Sequence, residues 1–537
     1  MKSSARVGEA EWRMAMPGRR RSRCGRFSAP ALDVWREHMD TTLGSRTAYT
    51  SASPVRCKVN LLPALQPPAH CCTPVQLTKA DDPGNIAAMP STSWEYRAAV
   101  RLATILAPSL SILSPKLKSA LEARRDAGER LLDWARASRD DTRPLVWFHA
   151  ASVGEGLQAE AVLRHLRRLC PECQTIYTHF SPSAHHLAAR LDVDATDYLP
   201  YDMPHTANRL LSSLRPDLLV FSKHDLWPEL STRASTSGTE VAIVAATVSP
   251  GSGRLKWPAR ALLKPGYRVV LAAGAISNED AGRLARLGVA PDRIQVLGDP
   301  RFDSVTEKVR AVSPSDALLR FGHGAPTLVA GSTWPQDEAV LLRAFAQLRG
   351  VNPGARLILV PHEPTAEHLS AIEHRAAEAG LPPVVRLSAA PGAAPLLLVD
   401  RIGLLATLYG AGCIAYVGGG FGSAGLHSVL EPAAWGIPVA IGPRWRNSRD
   451  AALLLKAGGA IALPRGIQRA GGALLDQWSG WIRDDDLRAR QGYLARQVVE
   501  SGVGAAERSA EMLLDLISSR FPRMSRTEAR SSPPSAP

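Results

Sequence analysis

The stretch FHAASVGEG, residues 148–156, places a carboxylate at the point where an apolar run ends. Glu155 lies between two glycines in a turn that opens a helix, so it could act as a general base and take a proton from an acceptor hydroxyl. A purely structural role is the alternative, because a carboxylate at a helix start is stabilised by the helix dipole. Ser152 could instead be a nucleophile in an esterase-like elbow, but that motif normally follows several strands and here it follows the first.

A second stretch, residues 413–438, combines a strand-like run with a glycine-rich turn. The glycines with G-x-G-x-x-G spacing are Gly420, Gly422 and Gly425. A dinucleotide site is disfavoured, because no acidic residue ends the next strand, PVAIGP, where a ribose ligand is expected. A glycine-rich turn before a helix still suits a phosphate, since backbone N–H groups can approach the anion closely. Glu431, one helical turn after His427, would then suit hydrogen bonds to ribose hydroxyls.

These residues need elements that position them, and after Arg143 the chain alternates short apolar runs with helical stretches. A first set of predicted strands covers Leu145–Phe148, Thr175–Phe180, Asp217–Phe221, Glu240–Thr247, Arg268–Ala273 and Ile294–Leu297. After a predicted linker, Arg310–Ala325, the second set covers Thr327–Gly331, Arg356–Val360, Leu396–Val399, Cys413–Val417, Pro438–Ile441 and Ala460–Leu463. Apolar strands that alternate with helices predict parallel sheets covered on both faces, here in two domains with a cleft between them.

Ligands of such sheets bind beyond the carboxyl ends of the strands. In the first half the polar residues at these positions are Ser152, Glu155, His179, Ser181, Lys223, His224 and Asp225. In the second half they are Ser332, Thr333, His362, Glu363, Asp400 and the run Gly418–Gly425. Any one of these residues could instead cap a helix.

Eight blocks of sequence, taken in order, resemble the 3-deoxy-D-manno-octulosonic acid (Kdo) transferases of lipopolysaccharide synthesis. The blocks are WFHAASVGEG, YLPYDMP, RPDLLVFSKHDLWPEL, LGDPRFDSV, LVAGSTWPQDE, LILVPHEP, LLLVDRIGLLATLY and GGGFGSAGLHSVLEPAAWGIPVAIGP. The resemblance runs from about Tyr96 to about Leu516. It implies an α/β fold of the GT-B type, in which two Rossmann-like parallel-sheet domains face each other across a cleft.

The resemblance also implies an activity and its partners. The enzyme would be an inverting glycosyltransferase that moves Kdo from CMP-Kdo to a lipid A precursor, lipid IVA, without a metal ion or cofactor. The lipid acceptor would bind the N-terminal domain and CMP-Kdo the C-terminal domain. The expected location is the cytoplasmic face of the inner membrane, with the protein peripheral or anchored by its N-terminal region.

The resemblance further carries functional residues onto this chain. Glu155 would be the catalytic base, and Arg301 in the LGDPRFDSV block would stabilise the transition state. Lys223 and Asp225 stand where many members read E-T-E-L-W-P, so either of the two could support the transition state. The residues expected to contact CMP are Pro361, His362, Gly403, Leu404, Leu405, Ser428, Val429, Leu430 and Glu431.

Composition restricts the other functional classes. The chain has 537 residues, 45% of them hydrophobic and 21% charged, as expected for a globular protein of two or more domains. Its formal net charge of +14 favours anionic partners. A basic nucleic-acid-binding protein is one alternative, but no aromatic-basic RNA motif or helix-turn-helix signature supports it. Another GT-B enzyme that uses a UDP-sugar, or a related epimerase, is the second alternative.

The ends of the chain differ from its centre. Residues 1–88 lack hydrophobic periodicity, which predicts a disordered leader or a start site assigned too early. The apolar stretch Ala98–Ser114 is flanked by basic residues and predicts a membrane-interface helix within residues 96–118, with an ordinary core helix as the alternative. The expected domains are then residues 119–309 and 326–516, followed by a disordered tail, residues 520–537. The seven cysteines show no disulfide framework spacing, which favours a reducing compartment.

Overall fold

The computed structural model describes residues 91–111, 115–389 and 394–521. The predicted leader and nearly all of the predicted tail lie outside the described residues.

The described strands form two seven-stranded sheets in which every pairing is parallel. The first sheet has the order β3-β2-β1-β4-β5-β6-β7 and the second the order β10-β11-β9-β8-β12-β13-β14. The strands are β1 Leu145–His149, β2 Gln174–His179, β3 Ala195–Tyr198, β4 Leu218–Ser222, β5 Glu240–Ala246, β6 Ala272–Ala275, β7 Ile294–Val296, β8 Thr327–Thr333, β9 Arg356–Pro361, β10 Val385–Arg386, β11 Leu396–Leu398, β12 Ile414–Val417, β13 Val439–Ile441 and β14 Ala460–Ala462. Their apolar residues are consecutive because helices cover both faces of each sheet.

The helices connect the strands and cover them. They are α1 Trp94–Ser111, α2 Pro115–Ala123, α3 Glu129–Ser138, α4 Val153–Leu169, α5 His185–Ala188, α6 Pro204–Leu214, α7 Pro228–Thr236, α8 Ala259–Arg268, α9 Asn278–Leu287, α10 Arg301–Ala311, α11 Pro335–Val351, α12 Ala366–Glu378, α13 Leu405–Leu408, α14 Leu430–Trp435, α15 Arg449–Ala457, α16 Ile467–Arg483, α17 Asp485–Glu500 and α18 Ala505–Arg520. Short 3-10 helices cover Pro182–Ala184, Gly253–Leu255, Pro291–Arg293, Ala317–Gly322, Leu387–Ala389 and Tyr409–Ala411.

Each sheet lies between two apolar clusters. One face of the first sheet packs against α3, α6, α7, α8 and α9. Its other face packs against α4 and the last described helix, α18, through residues such as Leu163 and Leu513. The second sheet packs against α11, α12 and α16 on one side, with Trp478 and Trp481 fully buried. On its other side it packs against α10, α13, α14, α15 and α17. The chain therefore crosses between the two halves twice, at α10 and again before α18.

One acidic side chain joins the two crossing points. The carboxylate of Asp303, on α10, accepts hydrogen bonds from the backbone N–H groups of Gly504 (2.6 Å) and Ala506 (3.1 Å) at the start of α18. Because these residues are far apart in sequence, this contact fixes the point where the chain returns to the first half.

The alternation of strands and helices is confirmed, and several predicted details are wrong. Residue Arg268 ends α8 rather than starting a strand, and β6 begins only at Ala272. Strands β3 and β10 were not predicted, because they are short and carry polar residues such as Asp197. The predicted linker at 310–325 begins inside α10 and contains a 3-10 helix.

A disulfide that the sequence did not predict joins Cys170 to Cys173. Both cysteines are buried in the turn between α4 and β2. A single C-x-x-C pair carries no framework spacing, so the pairing could not be read from the sequence alone.

The predicted interface helix coincides largely with α1, and residues 112–114 of that prediction lie outside the described residues. Several large apolar side chains of α1 are exposed, namely Trp94, Leu102, Ile105 and Leu106. Among the helices that the structure describes, none is both long and apolar enough to span a bilayer.

Candidate active site

A polar cavity of about 600 Å³ opens between the two halves of the protein. The first half contributes Thr247, Ile276, Asp299 and Arg301, which follow strands β5, β6 and β7. The second half contributes Gly422, Ser423, Gly425, Leu426, Arg444, Asn447, Ser448, Arg449 and Asp450, which follow strands β12 and β13. The cavity thus lies beyond the carboxyl ends of strands from both sheets, where ligands of parallel sheets bind.

Arg301 is held between two carboxylates at this cavity. Its guanidinium donates to Asp299 Oδ2 from Nε (2.9 Å) and Nη2 (2.7 Å), and Nη1 lies 2.9 Å from Asp450 Oδ2 in the other half. Burial alone would lower the pKa of Arg301, but Asp299 and Asp450 raise it above its ordinary value. The predicted role of Arg301 at the transition state stays a prediction, and its positive charge is already shared by two acidic groups.

Glu155 occupies the first turn of α4 and is nearly buried, with 8% of its surface exposed. Its Oε2 atom accepts hydrogen bonds from the backbone N–H and the hydroxyl of Ser152, both at 3.0 Å. The helix-start interaction that the sequence offered as the structural alternative is therefore present. The other oxygen, Oε1, takes part in none of the hydrogen bonds described for this part of the chain, so a general base role stays open as a prediction.

The first turns of α4 adjoin the cavity. Gln158, three residues after Glu155 on the same helix, donates from Nε2 to Asp299 Oδ1 at 3.0 Å, and Asp299 in turn binds Arg301. Ser152 donates to Glu155 and has no described hydrogen bond to a histidine, which an esterase-like nucleophile would need as its base.

Lys223 and Asp225 lie at the end of β4, and neither belongs to the residues described as lining the interdomain cavity. Lys223 has a φ of 69°, a left-handed conformation that is uncommon for a residue with a side chain. Asp225 Oδ1 accepts a hydrogen bond from Arg254 Nη2 at 2.9 Å. Asp225 also lines a second cavity, of about 450 Å³, together with Tyr96 and Val100 of α1 and Trp227.

The residues predicted to contact CMP follow neighbouring strands of the second sheet. Pro361 ends β9, Gly403 follows β11, and Ser428 follows β12. Since β11, β9, β8 and β12 are adjacent and parallel, these segments lie together at the carboxyl ends of the strands. Their grouping agrees with a shared ligand.

Three aromatic rings lie at these carboxyl ends. The ring of His362 lies 4.9 Å from Trp334 and 4.3 Å from His427, measured between ring centroids. Trp334 Nε1 donates to His427 Nε2 at 3.0 Å. Burial, with a smaller effect of His362, lowers the pKa of His427 to about 4, so this ring is neutral at neutral pH. The cluster offers a flat surface on which a planar base can stack.

The other residues predicted to contact CMP lie near the tightly packed carboxyl end of β8. Leu404 and Leu405 lead into α13, and a methyl group added at Gly331 would lie only 2.6 Å from Leu405 Cδ1. Val429 and Leu430 are buried at the start of α14. Burial raises the pKa of the neighbouring Glu431 above its usual value, with Lys308 acting in the opposite direction.

Sequence reasoning missed Arg444, Arg449 and Asp450, although the basic segment PRWRNSRD that holds them follows the predicted strand PVAI. It also missed a close backbone crossing in the glycine-rich turn. A Cβ added at Gly420 would lie 2.7 Å from the Cα atom of Gly442, so neither backbone leaves room for a side chain.

Two buried histidines end the neighbouring strands β1 and β2 of the first sheet. His149 and His179 have 1% and 0% of their surface exposed. His149 Nδ1 lies 3.0 Å from the hydroxyl of Thr178, and the remaining ring nitrogens have no described hydrogen bond. Burial lowers the pKa of each ring to about 4.

Comparison with known proteins adds to this geometry. The family described as 3-deoxy-D-manno-octulosonic-acid transferase (kdotransferase) matches residues 125–304. The 3-deoxy-D-manno-octulosonic acid transferase of Bordetella pertussis is 29% identical over 424 residues, which cover 73% of this chain and 94% of the relative. The transferase of the same name from Chlamydophila psittaci is 30% identical over 332 residues, 59% of this chain and 74% of the relative.

The solved structures resemble this chain in fold. The UDP-GlcNAc 2-epimerase of Neisseria meningitidis, bound to UDP-GlcNAc, aligns with a TM-score of 0.51 at 14% identity, over 70% of this chain and all of that one. The architecture is therefore of the GT-B type, with two Rossmann-like domains facing a cleft, as the sequence predicted.

Proposed function

Since the chain belongs to the family of 3-deoxy-D-manno-octulosonic acid transferases, we propose that it moves Kdo from CMP-Kdo to a lipid A precursor with inversion at the anomeric carbon. The observation that carries this proposal is the polar cavity of about 600 Å³ between the strand ends of both sheets. A donor bound on one half and an acceptor bound on the other would meet there. CMP-Kdo acts as a substrate, and no separate cofactor is invoked.

In the proposed mechanism Glu155 removes the proton from an acceptor hydroxyl. The hydroxyl oxygen forms a bond to C2 of Kdo while the bond from C2 to the phosphate oxygen breaks and CMP leaves. Oε1 of Glu155 is the candidate proton acceptor, because Oε2 already accepts two hydrogen bonds from Ser152. Those two bonds would hold the carboxylate in a fixed orientation.

Charge builds on the CMP phosphate as the glycosidic bond breaks. His362 and the backbone N–H groups of the glycine-rich turn after β12 are the groups we propose to oppose it. Lys223 and Asp225 both remain candidates for supporting the transition state. The pairing of Asp225 with Arg254 and its place beside α1 favour a role on the acceptor side.

We also propose that the first half attaches to the cytoplasmic surface of the inner membrane. Leu102, Ile105 and Leu106 are exposed on α1, and Trp257, just before α8, is 82% exposed. The cavity lined by Asp225 lies between residues of α1 and of α8. An acyl chain of the acceptor would find mainly apolar and aromatic walls there, next to a helix that suits the membrane interface.

The function is tested by measuring Kdo transfer from CMP-Kdo to lipid IVA, with the product mass determined. Glu155→Gln is expected to reduce turnover about 10²- to 10⁴-fold, the usual contribution of a general base. CMP should still protect this variant against thermal unfolding, because the donor binds the other half.

Ser152→Ala is the matched control, since it removes a hydrogen bond to the same carboxylate and keeps the carboxylate itself. It should cost about 0.5–2 kcal/mol of stability, as lost helix-start contacts do, with a far smaller effect on turnover. Equal activities of the two variants would rule out Glu155 as the base.

A UDP-sugar enzyme is the second candidate, and the fold similarity to UDP-GlcNAc 2-epimerases is the observation that favours it. Thermal unfolding separates the two. Under our proposal CMP raises the midpoint and UDP hardly does, because only a ligand that binds the folded state stabilises it.

A further inference from the structure

The lining of the interdomain cavity contains more arginines than carboxylates. Its charged lining consists of the carboxylates of Asp299 and Asp450 and the guanidiniums of Arg301, Arg444 and Arg449. Arg301 bonds to both carboxylates, so the lining keeps one net positive charge, and neither Arg444 nor Arg449 forms a salt bridge described for this part of the chain.

The two remaining arginines differ in their contacts. Arg444 donates from Nη1 to the carbonyl of Gly422 at 3.0 Å, which holds it at the glycine-rich turn. Arg449 forms none of the hydrogen bonds or salt bridges described for this part of the chain, and its side chain is exposed. It lines both the polar cavity and an adjoining cavity of about 640 Å³, so it lies where the two meet.

The position of Arg449 relates it to the transferred sugar more than to the nucleotide. None of the residues predicted to contact CMP, such as His362, Gly403 and Glu431, is among the described lining of the polar cavity. The lining instead includes Thr247 and Ile276 from the first half, on the side where the acceptor is expected. The glycine-rich turn, which we place at the CMP phosphate, lines the same cavity through Gly422 and Gly425, so the sugar joined to that phosphate would lie beside Arg449.

We propose, on the basis of the function proposed above, that Arg449 binds the carboxylate of the transferred acidic sugar and so selects CMP-activated acidic sugars over neutral ones. A guanidinium presents a planar pair of N–H donors that matches a carboxylate in a bidentate arrangement. Arg301 is unsuited to this task, because Asp299 and Asp450 already occupy its donors. Arg444 supports the same anion from the glycine-rich turn.

The test compares Arg449→Gln with Arg446→Gln. Arg446 lies on the same segment, but its guanidinium stands over the Trp445 ring, 5.5 Å from the centroid, and it is not part of the cavity lining. Arg449→Gln is expected to raise KM for CMP-Kdo about tenfold to a hundredfold, in the range of a lost charge-assisted hydrogen bond. Arg446→Gln should leave KM unchanged, and CMP should protect both variants as well as it protects the original protein.

A donor whose sugar carboxylate is converted to a carboxamide sharpens the result. The original protein should prefer CMP-Kdo to this donor, and Arg449→Gln should abolish most of that preference, whereas Arg449→Lys should keep part of it. An unchanged KM for CMP-Kdo in Arg449→Gln would overturn the inference. A loss of CMP protection in this variant as large as its loss of affinity for CMP-Kdo would also overturn it, because that result would indicate phosphate binding. Failure of the proposed function itself would look different, since the original protein would then neither respond to CMP nor transfer Kdo.

Discussion

The two halves share one sheet design and differ at the carboxyl ends of their strands. In the first half these ends carry buried rings, such as His149 and His179, and a carboxylate fixed by Ser152. In the second half they carry glycines that let backbones cross and two arginines, Arg444 and Arg449, that form none of the salt bridges described for this part of the chain. The same fold therefore supplies a closed surface that holds one acid in place and an open surface suited to an anionic donor.

The largest expected effect is the pH dependence of stability that the buried histidines of the first half cause. The pKa values of His149 and His179 are about 4 in the folded protein against an ordinary value of 6.5, so the unfolded chain binds more protons between these values. Stability should therefore fall as the pH drops from 6.5 to 4, by roughly 1 kcal/mol per pH unit for each buried histidine. Asp202 acts in the opposite direction, because burial raises its pKa to about 6 and its protonation below that pH favours the folded state.

The measurement is the free energy of unfolding as a function of pH, by chemical denaturation. Replacing both His149 and His179 with Gln should flatten the acid side of this curve. Replacing His427, which is less deeply buried, should flatten it less. A curve unaffected by the double replacement would contradict the assignment of acid sensitivity to the first sheet.

The next effect concerns glycines that follow a strand in each half. Gly420→Ala should lower the free energy of unfolding by about 1–3 kcal/mol, because its new methyl group meets the Gly442 backbone. Gly154→Ala is the matched change in the first half, where nothing lies within 4 Å of the added atom. It should be neutral, or stabilise by about 0.4–1 kcal/mol through the unfolded chain.

Denaturant unfolding of both variants, with CMP binding as a second readout, checks this pair. Similar costs at the two positions would show that the close crossing of Gly420 and Gly442 is not what requires glycine there.

The smallest effect compares two indole hydrogen bonds. Trp334→Phe removes the donor to His427 and keeps an aromatic ring, so a loss of about 1 kcal/mol is expected. Trp147→Phe removes a donor to Thr178 (2.9 Å) from a fully buried position and also leaves a cavity, so it should cost more. Equal losses of unfolding free energy in the two variants, measured by denaturant unfolding, would argue against the contrast between the closed surface of the first half and the open surface of the second.

The elements were largely predictable, because strands covered on both faces appear as continuous apolar runs such as Leu145–His149. The signal failed where a strand carries polar groups for a local reason. Asp197 in β3 accepts a 2.9 Å hydrogen bond from the backbone N–H of Gly128, a contact with a residue distant in sequence. Apolar periodicity cannot report such a contact, so β3 was missed.

The site was predictable in its residue types and less so in its pairings. The glycine-rich turn, part of which lines the cavity, was identified from its position after a strand, whereas the role of Glu155 stays a prediction. The partnership of Arg301 with Asp450 was not identified, because the two residues lie 149 positions apart and meet only when the halves face each other. Which arginine remains available to an anion depends on that meeting, and no local pattern encodes it.

The return of α18 to the first half also constrains how the protein can be divided. Its buried face, with Ala510, Leu513 and Ile517, covers the same side of the first sheet as α4. A fragment ended at the linker would keep α4 on that side of the sheet but lose the cover that α18 provides, so it would be prone to aggregate. Independent production of the acceptor half should therefore succeed only when the last helix is spliced back on, for example as a circular permutant.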